Sequence, residues 1–247
     1  MSRSRISEVA LANSVTNSLQ SQRNPDAEIR PTERSNDTRS RILDAAGPVF
    51  ATQGYAGATV REICSTAGVN IASVGYHFGD KLGLYREVIH DLRLARAKRF
   101  PAPNTDLEKP EDTLQALVYT LLARMLTAEE SAWETELLMR EMQNPTPVFE
   151  SIVEDFFRPL FDQLTETLRL LVKAELPDHT LQHLAFSTVG QCLYYRVGAQ
   201  AIQVLIPSRQ RQLHYDIDSL SQHITAVMLA ACENVSTLQQ RIEPSGN

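Results

Sequence analysis

The stretch Thr38–Tyr85 constrains the fold of this chain more strongly than any other segment. It contains three short helical patterns in succession, and the last two are joined only by the turn Ala67-Gly68-Val69. Glycine lacks a Cβ atom and adopts positive φ without strain, so Gly68 suits a sharp turn between two helices. Helices joined in this way are typical of a helix-turn-helix, whose second helix enters the major groove of DNA. The pattern predicts such a unit.

Capping and turn residues indicate where these helices begin and end. Gly54 ends the first helix, and Thr59 with Glu62 three residues later is a capping-box pattern that starts the second. Asn70 can cap the third helix, in which Val74 and Phe78 are predicted to face inward. The buried faces of the first two helices are predicted to hold Ile42, Leu43, Ala46, Val49, Phe50, Val60, Ile63, Cys64 and Ala67.

The other face of the third helix, predicted over 70–78, combines methyl groups, small residues and hydrogen-bonding groups. Its members are Asn70, Ile71, Ala72, Ser73, Gly75, Tyr76 and His77. A helix that lies close to base edges needs this mixture, because bases are distinguished by hydrogen bonds and methyl contacts. The third helix is therefore predicted to be a recognition helix.

This arrangement resembles the TetR family of bacterial transcriptional regulators. The matching residues are Ile42-Leu43-Asp44-Ala45-Ala46, Phe50-Ala51, Gly54-Tyr55, Thr59-Val60, Ile63, Ala67-Gly68-Val69, Tyr76-His77-Phe78, Lys81 and Leu84-Tyr85. The resemblance implies that Asn70, Ile71 and Ala72 face bases. It implies phosphate contacts by Thr59, Ser73, Tyr76, His77 and Lys81. The chain departs from the family at Gly75, where many members carry a larger side chain.

The charge is distributed unevenly along the chain, whose formal net charge is −6. Residues 1–37 are neutral overall, residues 38–100 carry +4 and residues 101–247 carry −10. The basic excess therefore coincides with the helix-turn-helix, as local phosphate contacts require. The acidic remainder disfavours DNA contact by other surfaces.

The sequence predicts an arm, two domains and a tail. Residues 1–37 are expected to be a flexible arm, and the alternative is an arm that reaches a minor groove with Arg30, Arg34 or Arg39. The helix-turn-helix domain is placed at 38–85, a helical effector-binding and dimerisation domain at 86–238, and a flexible tail at 239–247.

A fourth helix is predicted to begin after Asp80, its N-cap, and to run to about Phe100. Leu84, Val88, Leu92 and Ala95 form its apolar stripe, and Arg93, Arg96, Lys98 and Arg99 make its end basic. Cations near a helix C-terminus complement the helix dipole, which explains these charges without a ligand. The resemblance implies that this helix acts as a lever between the two domains.

Apolar periodicity predicts further long helices and no strand, so the fold is expected to be all-α. One helical segment, Phe149–Leu171, is expected to bend at Pro159, which lacks a backbone donor. This segment and the region around Trp133 are candidate walls of an apolar effector cavity; the alternative is that these residues fill a core. The candidate ligand-binding residues are Trp133, Met139, Phe156, Gln191 and Tyr195.

Two long C-terminal helices are predicted at about Asp178–Val204 and Asp216–Leu238. Their apolar faces include Leu181, Leu184, Ala185, Thr188, Cys192, Ile217, Leu220, Ile224, Val227, Met228, Ala231 and Val235. Such faces suit a four-helix bundle shared by two subunits, and the resemblance implies a homodimer formed here. The segment Gly190-Gln-Cys-Leu-Tyr-Tyr-Arg196 also resembles the CecR-type subgroup of the family.

No metal site, cofactor or catalytic group is predicted. His179 and His183 have a metal-binding spacing but lack a third ligand nearby. Glu134, Glu136 and Glu141 are expected to spread over a helix surface, without the nucleophile or glycine-rich loop of an enzyme.

The remaining features indicate a cytoplasmic protein. Cys64, Cys192 and Cys232 form neither a metal spacing nor a paired framework, which fits a reducing compartment. The apolar runs are shorter than the roughly 18 residues of a spanning helix, and the first residues lack the apolar core of a signal peptide.

These observations together predict a ligand-responsive repressor that binds a palindromic double-stranded DNA operator as a homodimer. The alternatives are a ligand-independent DNA-binding protein and an adaptor that uses its helix-turn-helix for protein contacts. No residue pattern identifies the effector, the operator or the regulated genes, or separates repression from activation.

Overall fold

A computed structural model of the chain describes residues 31–106, 108–127, 132–172, 175–235 and 237. By their internal contacts, Met1–Asp37 and Thr38–Asn247 are two compact units. In the first unit, residues 31–37 are helical where the sequence predicted a flexible arm. The predictions for residues 1–30, for the Arg34 side chain and for the tail 239–247 fall outside the described residues.

The described residues form helices and no β-strand, so the all-α prediction is confirmed. In chain order the helices are α1 (Pro31–Gly57), α2 (Val60–Ala67), α3 (Ala72–Phe78), α4 (Lys81–Arg99), α5 (Pro110–Leu126), α6 (Ala132–Gln143), α7 (Phe149–Ile152), a π-helical turn (Val153–Phe157), α8 (Arg158–Leu171), α9 (Asp178–Val197), α10 (Ala199–Leu205), α11 (Ser208–His214) and α12 (Ile217–Glu233). None of these helices is both long enough and apolar enough to cross a membrane.

The predicted start of α2 is formed in part. Gly54 kinks α1 with φ of 74° and ψ of 167°, and Thr59 Oγ1 accepts the Glu62 N–H at 3.2 Å. In a complete capping box the Glu62 carboxylate would accept the N–H of Thr59. Here the carboxylate instead accepts a hydrogen bond from Gln53 in α1. Gly68 then ends α2 in the left-handed region, with φ of 64°.

Helix α3 is shorter at its start than the predicted span. Asn70 Oδ1 accepts the Ala72 N–H at 2.9 Å, so Asn70 orders the turn that leads into the helix. At the next junction Asp80 Oδ1 accepts the Gly83 N–H at 2.7 Å, which confirms Asp80 as the N-cap of α4. Short-range hydrogen bonds therefore order the turns before and after α3.

Buried apolar side chains in the described part of the chain form two clusters. The first cluster joins α1–α4 to α6 and α7, and includes Ile42, Phe50, Ile63, Leu84, Tyr85, Leu137 and Ile152. The second cluster joins α5, α8, α9 and α12, and includes Leu114, Leu117, Leu122, Leu164, Leu168, Leu181 and Ile224. Helices α6 and α7 thus pack with the helix-turn-helix although they follow it at a distance in sequence.

A π-helical turn interrupts the segment Phe149–Leu171, in which a bend at Pro159 was predicted. This turn, Val153–Phe157, ends two residues before Pro159, which occupies the first turn of α8. A proline there removes no hydrogen bond from the new helix, because the first N–H groups of a helix have no intrahelical acceptor. The change in helical pattern therefore lies just before the proline, and the bend itself stays a prediction.

The C-terminal helices differ from the predicted spans in two ways. The helix expected to reach Val204 is divided at Gly198 into α9 and α10, and α11 was not predicted. The predicted inner face of α9 is confirmed, since Leu181, Leu184, Ala185, Thr188 and Cys192 are all buried. On α12, Val227 is 42% exposed where an inner position was expected.

Candidate functional site

The outer face of α3 is open to solvent. Tyr76 is 81% exposed and Ile71 is 52% exposed, whereas Val74 and Phe78 are buried as predicted. Asn70, Ala72 and Gly75 are also exposed, and Ser73 and His77 are half-buried at the edges of this face. The helix therefore presents the predicted base-facing residues outward while its opposite side anchors it to the first cluster.

Thr59 and Tyr76 are placed to act as donors at the edges of this face. The Thr59 hydroxyl accepts the Glu62 N–H, which leaves its own hydrogen for a phosphate oxygen. Tyr76 packs edge-on against His77, with ring centroids 4.9 Å apart. This geometry is compatible with hydroxyl contacts to a DNA backbone, which position a protein on the duplex.

Lys81 has a structural role that the sequence did not indicate. Its Nζ donates to Ala58 O at 2.7 Å and to Ala56 O at 3.4 Å, and lies 4.7 Å from the centre of the Tyr55 ring. These contacts fasten the start of α4 to the end of α1. The predicted phosphate contact would use the remaining N–H donor of the ammonium group.

Arg39 also connects two helices within the helix-turn-helix region. Its guanidinium forms an ion pair with Glu87 of α4 and lies 5.5 Å from the centre of the Phe78 ring. Both side chains of the ion pair are more than one third exposed, so the pair contributes little to stability by itself. The candidate groove-binding arginine is thus held against α3 and α4.

A buried polar network links α4 to α6. The Tyr85 hydroxyl donates to Glu141 Oε1, and Glu141 Oε2 accepts hydrogen bonds from the Thr146 N–H and hydroxyl, each at 3.2 Å. The expectation that Glu141 lies on a helix surface is wrong, because the residue is 2% exposed. Burial and the neighbouring Glu141 carboxylate raise the pKa of Tyr85, so the phenol remains a donor.

Helix α6 makes two further contacts with α1. The Arg140 guanidinium donates to the carbonyl oxygens of Ala51 and Thr52, at 2.7 Å for Thr52. The Trp133 ring lies so close to Gly47 that a Cβ atom there would be 2.5 Å from Trp133 Cη2. A glycine is required at this position because any side chain would displace the indole.

Arg96, whose charge the sequence explained by the helix dipole alone, is also a buried hydrogen-bond donor. Arg96 is 3% exposed, and its Nη atoms donate to Thr135 Oγ1 at 3.1 and 3.2 Å and to Arg124 O. Arg124 in turn donates to Phe100 O at 2.6 and 3.1 Å. Burial lowers the pKa of both arginines. Ala95, predicted within the apolar stripe, is exposed.

The structure does not bring the five candidate ligand residues into one cavity. Trp133 and Phe156 pack against the first cluster and line different clefts, and Met139 is half-buried in α6. Gln191 donates to Met228 Sδ at 3.4 Å, and Tyr195 packs against Tyr215 beside the second cluster. Their role in effector binding stays a prediction.

Among the described residues, one group has metal-ligand atoms close together. These atoms belong to Glu87, His90 and Asp91 of α4 and lie within 4.8 Å of one another. Glu87 already pairs with Arg39, and His90 and Asp91 are exposed, so the group is explained as a solvated helix face. The rings of His179 and His183 lie 5.9 Å apart on α9.

An exposed helix following a glycine turn, anchored by a buried inner face, defines a helix-turn-helix DNA-binding protein. Residues 42–88 match the model for bacterial regulatory proteins of the tetR family. Residues 110–232 match the C-terminal domain of the HTH-type transcriptional dual regulator CecR. The chain belongs to the TetR family of transcriptional regulators, and the resemblance to the CecR-type subgroup is confirmed.

Individual relatives agree with this assignment. CecR of Shigella flexneri is 24% identical over 181 residues, which cover 69% of this chain and 81% of that protein. The probable regulator YttP of Bacillus subtilis is 22% identical over 192 residues, covering 69% of this chain and 93% of YttP. The repressor NicS of Pseudomonas putida is 30% identical over 86 residues, covering 35% of this chain and 41% of NicS.

Solved structures show the same fold. HlyIIR, a hemolysin II transcriptional regulator, has a TM-score of 0.52 with 22% identity, covering 78% of this chain and 97% of HlyIIR. A TetR-like regulator from Rhodococcus sp. RHA1 has a TM-score of 0.54 with 14% identity, covering 78% of this chain and 94% of that one. The arrangement of helices is thus the one found in TetR-like regulators.

Proposed function

We propose that this regulator is a ligand-responsive repressor that binds a two-fold-symmetric DNA operator as a homodimer in the cytoplasm. The observation that carries the proposal is the outer face of α3, which is exposed while its inner face is buried in the first cluster. Repression is supported by the relative NicS, which is named a repressor and matches part of this chain. The DNA-binding domain is placed at 38–85 and the effector-binding and dimerisation domain at 86–238.

The base contacts come from the N-terminal part of the recognition helix. Asn70, Ile71 and Ala72 face base edges, where an amide and two methyl-bearing side chains can read hydrogen-bonding groups and thymine methyls. The phosphate contacts come from Thr59, Ser73, Tyr76, His77 and Lys81, and Arg39 reaches the minor groove. In a dimer, two such helices reach successive major grooves about 34–36 Å apart.

The dimer forms through α9 and α12. These helices bury one face in the second cluster and leave large apolar side chains exposed on the other, namely Phe186, Tyr194, Val197 and Val227. Grouped exposed apolar side chains mark surfaces that another protein covers. A second copy of the chain is the partner that a two-fold-symmetric operator requires.

Helix α6 transmits the effector signal to α3. It contacts α1 through Trp133 and Arg140 and contacts α4 through Glu141, so a movement of α6 changes the position of both helices. Helix α4 follows α3 after two residues, and its displacement alters the spacing of the recognition helices. An effector acts by binding the non-DNA-binding arrangement better, with a coupling of about 1–3 kcal/mol.

In vitro selection from a random DNA library, followed by anisotropy titration of the selected duplex at several salt concentrations, tests the proposal. We expect a palindrome and an affinity that falls steeply with salt, because bound phosphates release counterions. Tyr76→Ala should weaken binding, whereas Tyr119→Ala, which removes an exposed tyrosine of α5, should not. Failure to enrich any sequence, or equal affinity of the Tyr76→Ala and wild-type proteins, contradicts the proposal.

A further inference from the structure

A cleft lies between α4 on one side and α6, α7 and the π-helical turn on the other. Its cavity volume is about 60 Å³, and it is open to solvent. Its apolar lining consists of Ile89, Leu92, Leu138, Val148, Ile152 and Phe156.

The α4 wall of this cleft is cationic. Arg86, His90 and Arg93 line it at helical spacing, so they lie on one face of α4. Neither Arg86 nor Arg93 forms an ion pair with any described residue, and Arg93 Nε is buried without a hydrogen-bond partner there. A buried donor without an acceptor is costly, so a ligand that supplies one gains affinity.

The opposite wall offers little negative charge. Ser151 and Asp155 line it, and Asp155 is the one carboxylate among the described lining residues. Both residues are exposed, so Asp155 lies at the solvent edge of the cleft and not in its apolar interior. The two arginines therefore outnumber the acidic group even when His90 is neutral.

Two further arginines add positive charge behind the lining. The Arg124 guanidinium lies 5.7 Å from the centre of the Phe156 ring, and Arg96 is buried one turn beyond Arg93. Their described hydrogen-bond acceptors are carbonyl oxygens and a hydroxyl, and the carboxylate that acts on Arg96 is that of Glu134. A partly buried positive charge favours binding of an anion nearby.

We propose that this cleft is the effector site and that its effector is an amphipathic carboxylate. The carboxylate accepts hydrogen bonds from Arg93 and Arg86, and the apolar part of the molecule covers Ile89, Leu138 and Phe156. This inference rests on the proposed ligand-responsive function and specifies the chemical class of the effector. The site lies between α4 and α6, the two helices that Tyr85 and Glu141 connect. A bound effector therefore directly changes the position of α4, the helix that links the two domains.

Isothermal titration of the full-length protein with octanoate, decanoate and dodecanoate tests the chemistry, with the corresponding primary alcohols as uncharged controls. We expect a carboxylate to bind at least about tenfold more tightly than its alcohol. Arg93→Gln should weaken carboxylate binding about tenfold or more. Lys98→Gln makes the same charge change at an exposed position of α4 outside the cleft and should leave it unchanged.

A second variant, Asp155→Asn, keeps the test informative if Arg93→Gln fails to fold. Asp155→Asn removes the acidic group from the rim and should tighten carboxylate binding about threefold, a gain that loss of structure cannot produce. The inference is overturned if none of the carboxylates binds, if the alcohols bind equally well, or if neither Arg93→Gln nor Asp155→Asn changes the affinity.

Operator binding, measured by anisotropy without and with decanoate, separates this inference from the proposed function. Release of the operator by decanoate, lost in Arg93→Gln, supports both. Intact operator binding by a protein that binds no carboxylate contradicts the inference alone. Failure to bind an operator in the absence of any additive contradicts the proposed function, whatever the titration shows.

Discussion

The two hydrophobic clusters are held together by different kinds of contact. In the first cluster, directional bonds cross between helices: Tyr85 to Glu141, and Arg140 to the carbonyl oxygens of α1. In the second cluster, the buried hydroxyls of Thr120, Thr167 and Thr188 donate to carbonyl oxygens of their own helices. The helices of the second cluster therefore meet mainly through apolar side chains.

The difference suggests that the second cluster mainly provides stability, whereas the directional contacts of the first cluster can take part in a conformational change. Apolar packing is non-directional and contributes most of the folding free energy, whereas a buried hydrogen-bond network has discrete arrangements. An equilibrium between two arrangements needs contacts that are either made or broken. We therefore expect mutations in the second cluster to change stability, and mutations at the α4–α6 boundary to change operator affinity as well.

The largest expected effect is that of Leu168→Ala in the second cluster. Leu168 is 0% exposed, and truncating such a side chain costs about 2–5 kcal/mol. Urea denaturation measures this loss, and the operator affinity of the folded protein should remain that of the wild type. Leu170→Ala, at a 47% exposed position of the same helix, is the matched control and should change stability by less than about 0.5 kcal/mol. A large loss of operator affinity in Leu168→Ala would contradict the view that the second cluster affects stability alone.

Tyr85→Phe tests the directional contacts of the first cluster. The substitution leaves Glu141 Oε1 without its donor in a buried position, which costs about 1–3 kcal/mol. Operator affinity should change together with stability, because the bond positions α4 relative to α6. Tyr119→Phe on the surface of α5 is the control. Unchanged operator affinity at conditions where Tyr85→Phe is fully folded would contradict a role for this bond in positioning.

The buried cysteines predict a loss of stability at high pH that belongs mainly to the second cluster. Burial raises the pKa of the Cys192 thiol from 9.0 to about 12 and that of Cys232 to about 11. The folded state thus keeps protons that the unfolded chain releases, so stability is full below pH 9 and declines as pH rises toward the folded pKa. Each thiol contributes at most about 1.4 kcal/mol per pH unit in that window. Denaturation of Cys192→Ala between pH 8 and 11 should show a shallower decline than that of the wild type, and parallel curves would refute this explanation.

Gly75→Ala is expected to have the smallest effect on stability and to change DNA recognition. A Cβ atom at Gly75 meets nothing within 4 Å, so Gly75→Ala should stabilise α3 slightly, by about 0.5–1 kcal/mol. The added methyl group projects from the open face of the recognition helix and should alter the selected sequence or the operator affinity. Identical selection by Gly75→Ala and the wild type would show that this part of α3 does not approach the bases.

Features set by nearby residues were predictable from the sequence. Thr59 and Asp80 cap their helices because the acceptor and donor are three residues apart, and Val74 and Phe78 are buried because helical periodicity places both on one side. These relations need no knowledge of other helices. The same holds for the inner face of α9.

Features set by a distant helix were not predictable. The helix dipole offered a sufficient local explanation for the charge of Arg96, and Glu141 was predicted to be a surface residue of an acidic helix. Each is buried by partners from elsewhere in the chain: Thr135 and Arg124 for Arg96, and Tyr85 for Glu141. Lys81 is similar, since its acceptors lie in the segment before α2. The apolar periodicity of a single helix cannot reveal such contacts, because they depend on how helices far apart in sequence pack together.

The π-helical turn at Val153–Phe157 has a consequence for how this protein can change over evolutionary time. A π turn holds one residue more than an α-helical turn, so it behaves like an insertion absorbed within a continuous helix. Loss of a single residue there would restore regular α-helix and rotate everything before it by about 100° relative to α8. Phe156 and Ile152 would then leave the wall that faces α4, while the second cluster stayed intact. A one-residue deletion could thus give a lineage a new effector preference without rebuilding its fold.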